Sequence, residues 1–223
     1  TRAIISTHNG LIPSHKGYAL FLTNGNFVEF FTGNGIDYTY PFVSGGNVPI
    51  NQWSHVAGVW TGTQLQIYIN GQLINSVAYA GPVGTSPEPL TIGYRGGGYN
   101  SNYFPGQIDE VRVWNTPRTA AQLFDFKDKP LKGNESNLVL LYQFDGIAGT
   151  NAFNSTIANN NHLTLINGAN ITASRAMHPY RADKLQAFAG NEEVEMVWNK
   201  NIALDLKQYN VIVSTNSNLT API

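Results

Sequence analysis

Residues 53–77 read W-S-H-V-A-G-V-W-T-G-T-Q-L-Q-I-Y-I-N-G-Q-L-I-N-S-V, and this stretch decides the fold. Apolar side chains recur there at every second position, for example at Leu65, Ile67 and Ile69, which is typical of a strand with one buried face. Thr61-Gly62-Thr63 predicts one turn, and Asn70-Gly71 predicts a second, because both residues of an Asn-Gly pair tolerate a positive φ. The stretch therefore predicts a three-stranded antiparallel meander whose buried face carries Leu65, Ile67 and Ile69.

Composition narrows the class of protein. Of the 223 residues, 12% are charged and 12% aromatic, and the formal net charge is -1, so no basic surface favours nucleic acid or an anionic membrane. No apolar run approaches the length of a membrane span. Cysteine is absent, which excludes disulfides, thiolate metal sites and cysteine catalysis. Few lysines and many Asn, Gly, Thr and Ser residues favour a secreted or cell-surface protein of bacterial origin.

The same period of two recurs through most of the chain and predicts an all-β fold. The chain also holds one capping box, in which Thr119 is the N-cap and Gln122 the third helical residue, so we expect a short helix that ends before Pro130. Further strands are predicted at residues 2–6, 18–22, 27–31, 90–94, 107–114 and 138–144.

Two segments resemble a known family. The meander and the run F-P-G-Q-I-D-E-V-R-V-W-N-T-P-R-T-A-A-Q, residues 104–122, are similar to laminin-G-like domains of the concanavalin A-like jelly-roll superfamily. The resemblance implies a jelly-roll sandwich of antiparallel sheets over residues 1–172. In that family two further strands precede the run Ile4-Ile5, so we expect the chain to be covalently part of a longer polypeptide.

A second resemblance begins after a linker at residues 173–181. The run L-Q-A-F-A-G-N-E-E-V-E-M-V-W-N-K and the strand that follows it resemble the first three strands of a fibronectin type III domain, with Trp198 at the position of the core tryptophan. Such a sandwich needs about 100 residues. Residues 182–223 are therefore predicted to form a partial fibronectin type III-like β-sandwich.

Catalysis is not predicted. The sequence holds no nucleophile elbow, zinc-protease motif or phosphate-binding loop. The acidic run at residues 107–111 lacks the third carboxylate that jelly-roll glucanases place on one strand face. We expect no enzymatic activity from this chain.

Calcium is the cofactor that the resemblance suggests, because the family often carries it near residues 145–161. Calcium prefers six to eight oxygen ligands from carboxylates, amides and carbonyls. Asn154 stands where the family motif has an aspartate, and asparagines can instead supply turn geometry. The candidate ligands are Asp145, Asn154, Asn159 and Asn161.

Two loops have the chemistry of a carbohydrate site, in which aromatic rings pack on the sugar and fixed polar groups bind its hydroxyls. The first is residues 37–40, and the second is a glycine-rich loop at residues 95–103. We expect Phe104, by contrast, to belong to the core or to a sheet edge. The candidate ligand-binding residues are Tyr38, Tyr40, Arg95, Tyr99, Asn100, Asn102 and Tyr103.

The five histidines are scattered along the sequence without the spacing of metal ligands, and His55 is predicted to be a packed strand residue.

The composition, the family resemblance and the two aromatic loops together favour a non-catalytic module that binds a glycan or a cell-surface protein within a larger extracellular protein, such as an adhesin. Two alternatives remain: an accessory carbohydrate-binding module of a secreted polysaccharide-degrading enzyme or protease, and a spacer domain without a ligand.

Overall fold

The computed structural model describes residues 1–9, 15–96, 102–145, 147–148, 151–156, 161–172, 176, 186–189 and 194–197. The chain divides into two units, Thr1–His178 and Pro179–Ile223. The boundaries predicted from the sequence, at residues 172 and 182, stay a prediction. In chain order the elements of the first unit are β1 (Arg2–Ser6), β2 (Tyr18–Leu22), β3 (Phe27–Thr32), β4 (Phe42–Asn47), β5 (Val56–Trp60), β6 (Gln64–Ile69), β7 (Gln72–Ala78), β8 (Thr91–Ile92), β9 (Val111–Trp114), α1 (Ala120–Phe126), β10 (Leu138–Tyr142), β11 (Ile147–Ala148), β12 (Asn151–Ala152) and β13 (Leu163–Thr164).

The largest sheet has five antiparallel strands in the order β4-β3-β2-β1-β8. Because side chains alternate across a strand, β2 and β3 send one set of residues to each face of this sheet. Leu20, Leu22 and Phe30 belong to the main hydrophobic core, and we call their side the inner face. Phe21 and Phe31 form a separate buried cluster with two alanines on the opposite side, here called the outer face.

The meander predicted from residues 53–77 is confirmed. Strands β5, β6 and β7 pair antiparallel in that order, and Asn70 and Gly71 have φ angles of 51° and 78°, as a hairpin turn with two positive φ values requires. Leu65 and Ile67 are completely buried. Ile69 is partly buried against the same core. The meander therefore packs its predicted apolar face against the inner face of the five-stranded sheet.

The predicted helix is also confirmed as α1. Thr119 Oγ1 accepts a hydrogen bond from Gln122 N at 3.2 Å, and Gln122 Oε1 accepts one from Thr119 N at 3.0 Å, which completes the capping box. Leu123 of α1 packs on Val59 and Tyr68, on the side of the meander that faces away from the main core. The described residues thus form antiparallel strands with one short helix, as the predicted all-β class requires.

Three predicted strands are shorter than expected. The strand predicted at residues 107–114 begins only at Val111, because Glu110 has a φ of 50° and cannot continue an extended strand. The strand predicted at 90–94 is reduced to Thr91–Ile92, and the strand predicted at 138–144 ends at Tyr142. β9 and β10 pair with each other as a two-stranded sheet.

The second unit contains one described hairpin, formed by β14 (Gln186–Ala189) and β15 (Val194–Val197). These strands lie within the segment that resembles a fibronectin type III domain. Trp198 lies outside the described residues, so the fibronectin-like assignment stays a prediction. In the described part of the chain, no helix is long and apolar enough to cross a membrane.

Candidate functional site

Aromatic and cationic side chains gather on the outer face of the five-stranded sheet. The floor is formed by Phe21 and Phe31, whose rings stack with centroids 5.2 Å apart. The guanidinium carbon of Arg95 lies 5.8 Å from the Phe21 ring centroid and 5.9 Å from that of Phe31. Together with this arginine, four further side chains make up what we call the outer-face cluster, whose members are His8, His15, Tyr38, Tyr40 and Arg95.

The connection between β1 and β2 brings the two histidines together. Asn9 and Lys16 form an isolated antiparallel bridge, with backbone hydrogen bonds of 2.9 and 3.0 Å in the two directions. The bridge places His8 and His15 on neighbouring stretches, and their rings stack with centroids 5.0 Å apart. His8 is only 1% exposed and also contacts the Phe31 ring edge to face.

Hydrogen bonds link the two histidines to the arginine in a chain. Arg95 Nη2 lies 2.9 Å from His8 Nδ1, and His8 Nε2 lies 2.9 Å from His15 Nδ1. A guanidinium only donates hydrogen bonds, so His8 Nδ1 accepts and a neutral His8 carries its proton on Nε2. His8 then donates to His15 Nδ1, which leaves the proton of a neutral His15 on Nε2. The chain thus defines one tautomer for each ring.

The charge state of both rings agrees with this arrangement. Burial, followed by the charge of Arg95 and by His15, lowers the pKa of His8 to about 3. Burial and then Arg95 also lower the pKa of His15 from its ordinary value. Both imidazoles are therefore neutral at neutral pH, and His15 keeps one N–H donor.

Tyr38 and Tyr40 flank His15 in the loop between β3 and β4. Their ring centroids lie 5.8 and 5.1 Å from that of His15, and the two tyrosines are 51% and 52% exposed. Backbone hydrogen bonds tie this loop to His15, whose N donates to Asp37 O at 2.9 Å. The site thus pairs two accessible aromatic rings with an N–H donor of defined tautomer, the combination that carbohydrate sites use.

The Asp37 carboxylate organises the same loop. Its Oδ1 accepts from Thr39 N at 2.7 Å and from Asn34 Nδ2 at 2.8 Å. Hydrogen bonds from Thr39 and then from Asn34 lower the pKa of Asp37. Asp37 is exposed and ionised at neutral pH, and its hydrogen bonds hold the loop on which Tyr38 and Tyr40 stand.

The structure brings three of the predicted ligand-binding residues together, namely Tyr38, Tyr40 and Arg95. Asn102 lies against β1, where its backbone O accepts from Ala3 N at 2.9 Å. Tyr103 is exposed and stacks on Tyr94, with ring centroids 6.0 Å apart. The other two predicted residues, Tyr99 and Asn100, lie outside the described residues.

The structure brings two of the scattered histidines, His8 and His15, into contact. The register that pairs Ser6 with Ala19 and Asn9 with Lys16 places His8 opposite Gly17, so His15 is its diagonal neighbour, two residues away on the same face. The signal in the sequence is the placement of the two histidines on the two arms of one predicted connection between strands. His55 is packed as predicted, and burial, followed by Arg112 and Lys127, lowers its pKa to about 4.

A cavity of about 860 Å³ lies between the inner face of the five-stranded sheet and strands β5 and β9. Trp53, Trp60 and Trp114 line it, as do Leu20 and Phe30 of the inner face. The cavity is separate from the outer-face cluster, because Phe21 and Phe31 lie on the opposite side of the sheet from Leu20 and Phe30.

Of the four predicted calcium ligands, the structure describes Asp145, Asn154 and Asn161. Asn154 is buried, and its Oδ1 accepts hydrogen bonds of 3.0 to 3.1 Å from Leu141 N, Thr156 N and Thr156 Oγ1. Asn154 therefore holds a loop against β10 and does not fit the role of a calcium ligand. Asp145 and Asn161 are exposed, while Asn159 lies outside the described residues. Across the described ranges, no three His, Cys, Asp or Glu residues are grouped as a metal site.

The acidic run before β9 is engaged within the protein. Glu110 Oε2 lies 3.0 Å from Arg112 Nη2, and both side chains are mostly buried. Burial raises the pKa of Glu110, and Arg112 opposes that shift. Asp109 Oδ1 accepts from Glu110 N at 2.7 Å. Simple alternation along residues 107–114 would place Asp109 on the same strand face as Val111. The strand begins only after Glu110, so Asp109 is not part of it.

Comparison with known proteins identifies the family of the jelly roll. A solved structure of a Bacteroides ovatus protein, named for a proposed carbohydrate-binding role, is similar with a TM-score of 0.52 and 23% identity. The similarity covers 77% of this chain and 51% of that protein, so the chain spans about half of its length. Part of an S-layer domain-containing protein from Clostridium thermocellum is similar with a TM-score of 0.30 and 19% identity, over 49% of this chain and 55% of that one.

No curated protein matches the chain. Residues 1–124, which are more than half of the chain, match the family model of the laminin-G type that is described as the concanavalin A-like lectin/glucanases superfamily. This match agrees with the antiparallel sandwich described above. The chain therefore belongs to the concanavalin A-like lectin/glucanase superfamily.

Proposed function

We propose that the chain binds a glycan at the outer-face cluster and acts as a non-catalytic recognition module. The observation that carries this proposal is the contact of His15 with two exposed tyrosine rings, with its tautomer defined by Arg95 and His8. Tyr38 and Tyr40 supply faces for the apolar side of a sugar ring, and His15 Nε2–H supplies a donor for one of its oxygens.

The Bacteroides protein supports this proposal, because it shares the fold and its name includes a carbohydrate-binding role. We place the module in a larger secreted or cell-surface protein of bacterial origin, for which an adhesin is the first candidate. An accessory module of a secreted polysaccharide-degrading enzyme or protease would use the same site. A catalytic domain elsewhere in the parent protein would favour that second candidate.

The absence of catalysis is part of the proposal. A glycoside hydrolase needs two carboxylates that reach the scissile bond from opposite sides. Asp109 and Glu110 instead bind the backbone and Arg112, respectively. We expect no release of reducing ends from common polysaccharides. Release that is abolished by Asp109→Asn or by Glu110→Gln would show that the chain is an enzyme.

A glycan array followed by calorimetric titration tests the binding. We expect Tyr40→Ala to weaken binding of the best array ligand about tenfold, because loss of one ring contact costs on the order of 1–2 kcal/mol. Phe124→Ala is the matched control, since Phe124 is equally exposed but lies on α1. The proposal fails if no glycan binds, or if the two variants weaken binding equally.

A further inference from the structure

The outer face of the five-stranded sheet continues beyond the outer-face cluster along β3 and β4. Val28 and Phe30 of β3 and Val43 of β4 belong to the main core, so the residues that alternate with them point to the outer face. Besides the floor residue Phe31, four such residues form what we call the β3–β4 row, namely Phe27, Glu29, Phe42 and Ser44.

The row begins at the outer-face cluster. The Phe42 ring centroid lies 6.5 Å from that of Tyr40, and the Tyr40 ring centroid lies 6.1 Å from that of Phe31. Phe42 is paired with Phe31 across the two strands and is half exposed. The accessible aromatic surface of the cluster therefore extends onto the edge strand β4.

A polar pair follows the ring of Phe42. Glu29 and Ser44 are directly opposite each other in the register of β3 and β4, and both are partly buried. Side chains at such positions are neighbours, because their Cβ atoms lie about 4.5–5.5 Å apart. Phe27, two positions before Glu29, is half exposed on the same face. Exposed rings thus lie on both sides of the polar pair.

Glu29 lacks a partner within the protein. Among the residues that the structure describes, no group donates a hydrogen bond to the Glu29 carboxylate and no Lys or Arg side chain forms an ion pair with it. Burial raises the pKa of Glu29, and the amino group of Thr1 opposes that shift. A carboxylate that is partly removed from water is destabilised when it has no donor, so a ligand with hydroxyl donors would be favoured there.

The length and charge of the row restrict the ligand. From Phe31 to Phe27, β3 covers about 14 Å, which exceeds the width of one sugar ring. A linear sugar chain repeats an apolar face and hydroxyl groups along its length, which matches aromatic rings on both sides of a polar pair. A sugar with a carboxylate or sulfate beside Glu29 would bring two like charges together, which is unfavourable.

We propose that the site binds a neutral, linear polysaccharide chain along the β3–β4 row, with the Glu29 carboxylate accepting hydrogen bonds from the hydroxyl groups of one sugar unit. This inference rests on the proposed glycan binding at the outer-face cluster and names the class of glycan. The cluster holds one end of the bound segment, and Glu29, Ser44 and Phe27 contact the units that follow. Affinity should therefore increase with chain length until the row is filled.

Calorimetric titration with sugars of two lengths separates the two parts of the site. The probes are the disaccharides and hexasaccharides of β-1,4-linked glucose, xylose and mannose, with hexagalacturonate as the anionic chain. At least one neutral hexasaccharide should bind about tenfold or more tightly than its own disaccharide, because it gains the contacts of the row. The same hexasaccharide should bind more tightly than hexagalacturonate.

Substitutions assign the gain with chain length to Glu29. Glu29→Ala should weaken binding of the hexasaccharide about tenfold and binding of the disaccharide less than about twofold, because only the longer chain reaches Glu29. Tyr40→Ala should weaken both. Asp125→Ala is the matched control and should weaken neither, since Asp125 is an exposed carboxylate on α1. Glu29→Gln keeps the shape of the side chain and should reproduce part of the loss if the alanine variant does not fold.

NMR of the Glu29 carboxyl carbon gives a second readout in the wild type. Hydroxyl donors favour the ionised carboxylate, so the hexasaccharide should lower the pKa of Glu29 and the disaccharide should leave it unchanged.

Three results overturn the inference while glycan binding at the cluster stands: equal affinity for both lengths, equal affinity for hexagalacturonate, or no effect of either Glu29 variant on the hexasaccharide. Binding of an array ligand that Tyr40→Ala weakens, with none of these probes bound, also overturns it. If no glycan binds at all, the proposed function itself fails and this inference fails with it.

Discussion

At the scale of single residues, the ring nitrogen of His15 that carries the proton is determined by a side chain distant in the sequence. Arg95, 87 positions away, donates a hydrogen bond to His8 Nδ1, and His8 Nε2 therefore donates to His15 Nδ1. Protonation of His8 at Nδ1 would place a cation against the guanidinium, so the chain of bonds exists only while His8 is neutral. The groups around the pair also include Asp37, whose backbone O accepts from His15 N, and Lys16, whose backbone pairs with Asn9.

Several buried titratable groups make the stability depend on pH. The lowered pKa values of His8, His55 and His15 reduce the stability as the pH falls, whereas the raised pKa values of Glu29 and Glu110 act in the opposite direction. The pKa values of His8 and His55 are about 3 and about 4 in the folded protein, against an ordinary value of 6.5. Below pH 6.5 the unfolded chain therefore binds more protons at these two histidines than the folded protein, and their contribution to the free energy of unfolding decreases as the pH falls toward those values. Between pH 7 and pH 5 we expect each of these two histidines to account for a loss of about 1–2 kcal/mol.

Urea unfolding at these two pH values measures that loss. In the variant His8→Gln the part due to His8 should disappear, so that the difference between the two pH values becomes smaller than in the wild type. If the difference between the two pH values were the same in the wild type and in His8→Gln, His8 would not be buried in a neutral state.

At the scale of elements, the meander could be predicted because each of its determinants is local. The period of two in residues 64–69 and the Asn-Gly turn are visible in the sequence and specify the register without any distant contact. The start of β9 could not be predicted in the same way. Glu110 breaks the strand with a positive φ, and its side chain lies buried against Arg112, a tertiary arrangement that the alternating pattern does not encode.

Ile67→Ala tests the assignment of the buried face. Ile67 is completely buried between the sheets, so removal of its side chain should reduce the free energy of unfolding by about 2–5 kcal/mol. Leu73→Ala on β7 is the control, because Leu73 is half exposed and should cost less than about 1 kcal/mol. Both values come from urea unfolding, and a loss below about 1 kcal/mol for Ile67→Ala would contradict the assignment.

At the scale of the whole molecule, the candidate site is assembled from parts that are far apart in the sequence. Tyr38 and Tyr40 come from the loop after β3, the histidines from the connection between β1 and β2, and Arg95 follows β8. The tyrosine loop and the loop that begins at Arg95 could be predicted as parts of a sugar site, because exposed tyrosines and polar loops are typical of such sites. The two histidines were not predicted. Their convergence on Phe21 and Phe31 depends on sheet order, which places β1, β2 and β3 side by side.

Calcium binding remains a prediction that concerns the whole molecule. An ion bound only by the folded protein would raise the melting temperature with the logarithm of free calcium. Because Asn154 Oδ1 already accepts three hydrogen bonds, a site near Asp145 would have to use other oxygens, such as those of Asn161. Thermal unfolding in EDTA and in millimolar calcium makes the comparison, and equal melting temperatures would argue against a calcium site.

The most direct test of glycan binding at the outer-face cluster is NMR of the histidine rings during titration with the best array ligand. Without ligand, the spectra should show His8 and His15 neutral, each with its proton on Nε2. Addition of the glycan should shift the His15 Nε2–H signal and the ring signals of Tyr38 and Tyr40. If a glycan binds but shifts Trp53 and Trp60 while the His15 and tyrosine signals stay unchanged, the binding site lies elsewhere and the central claim is contradicted.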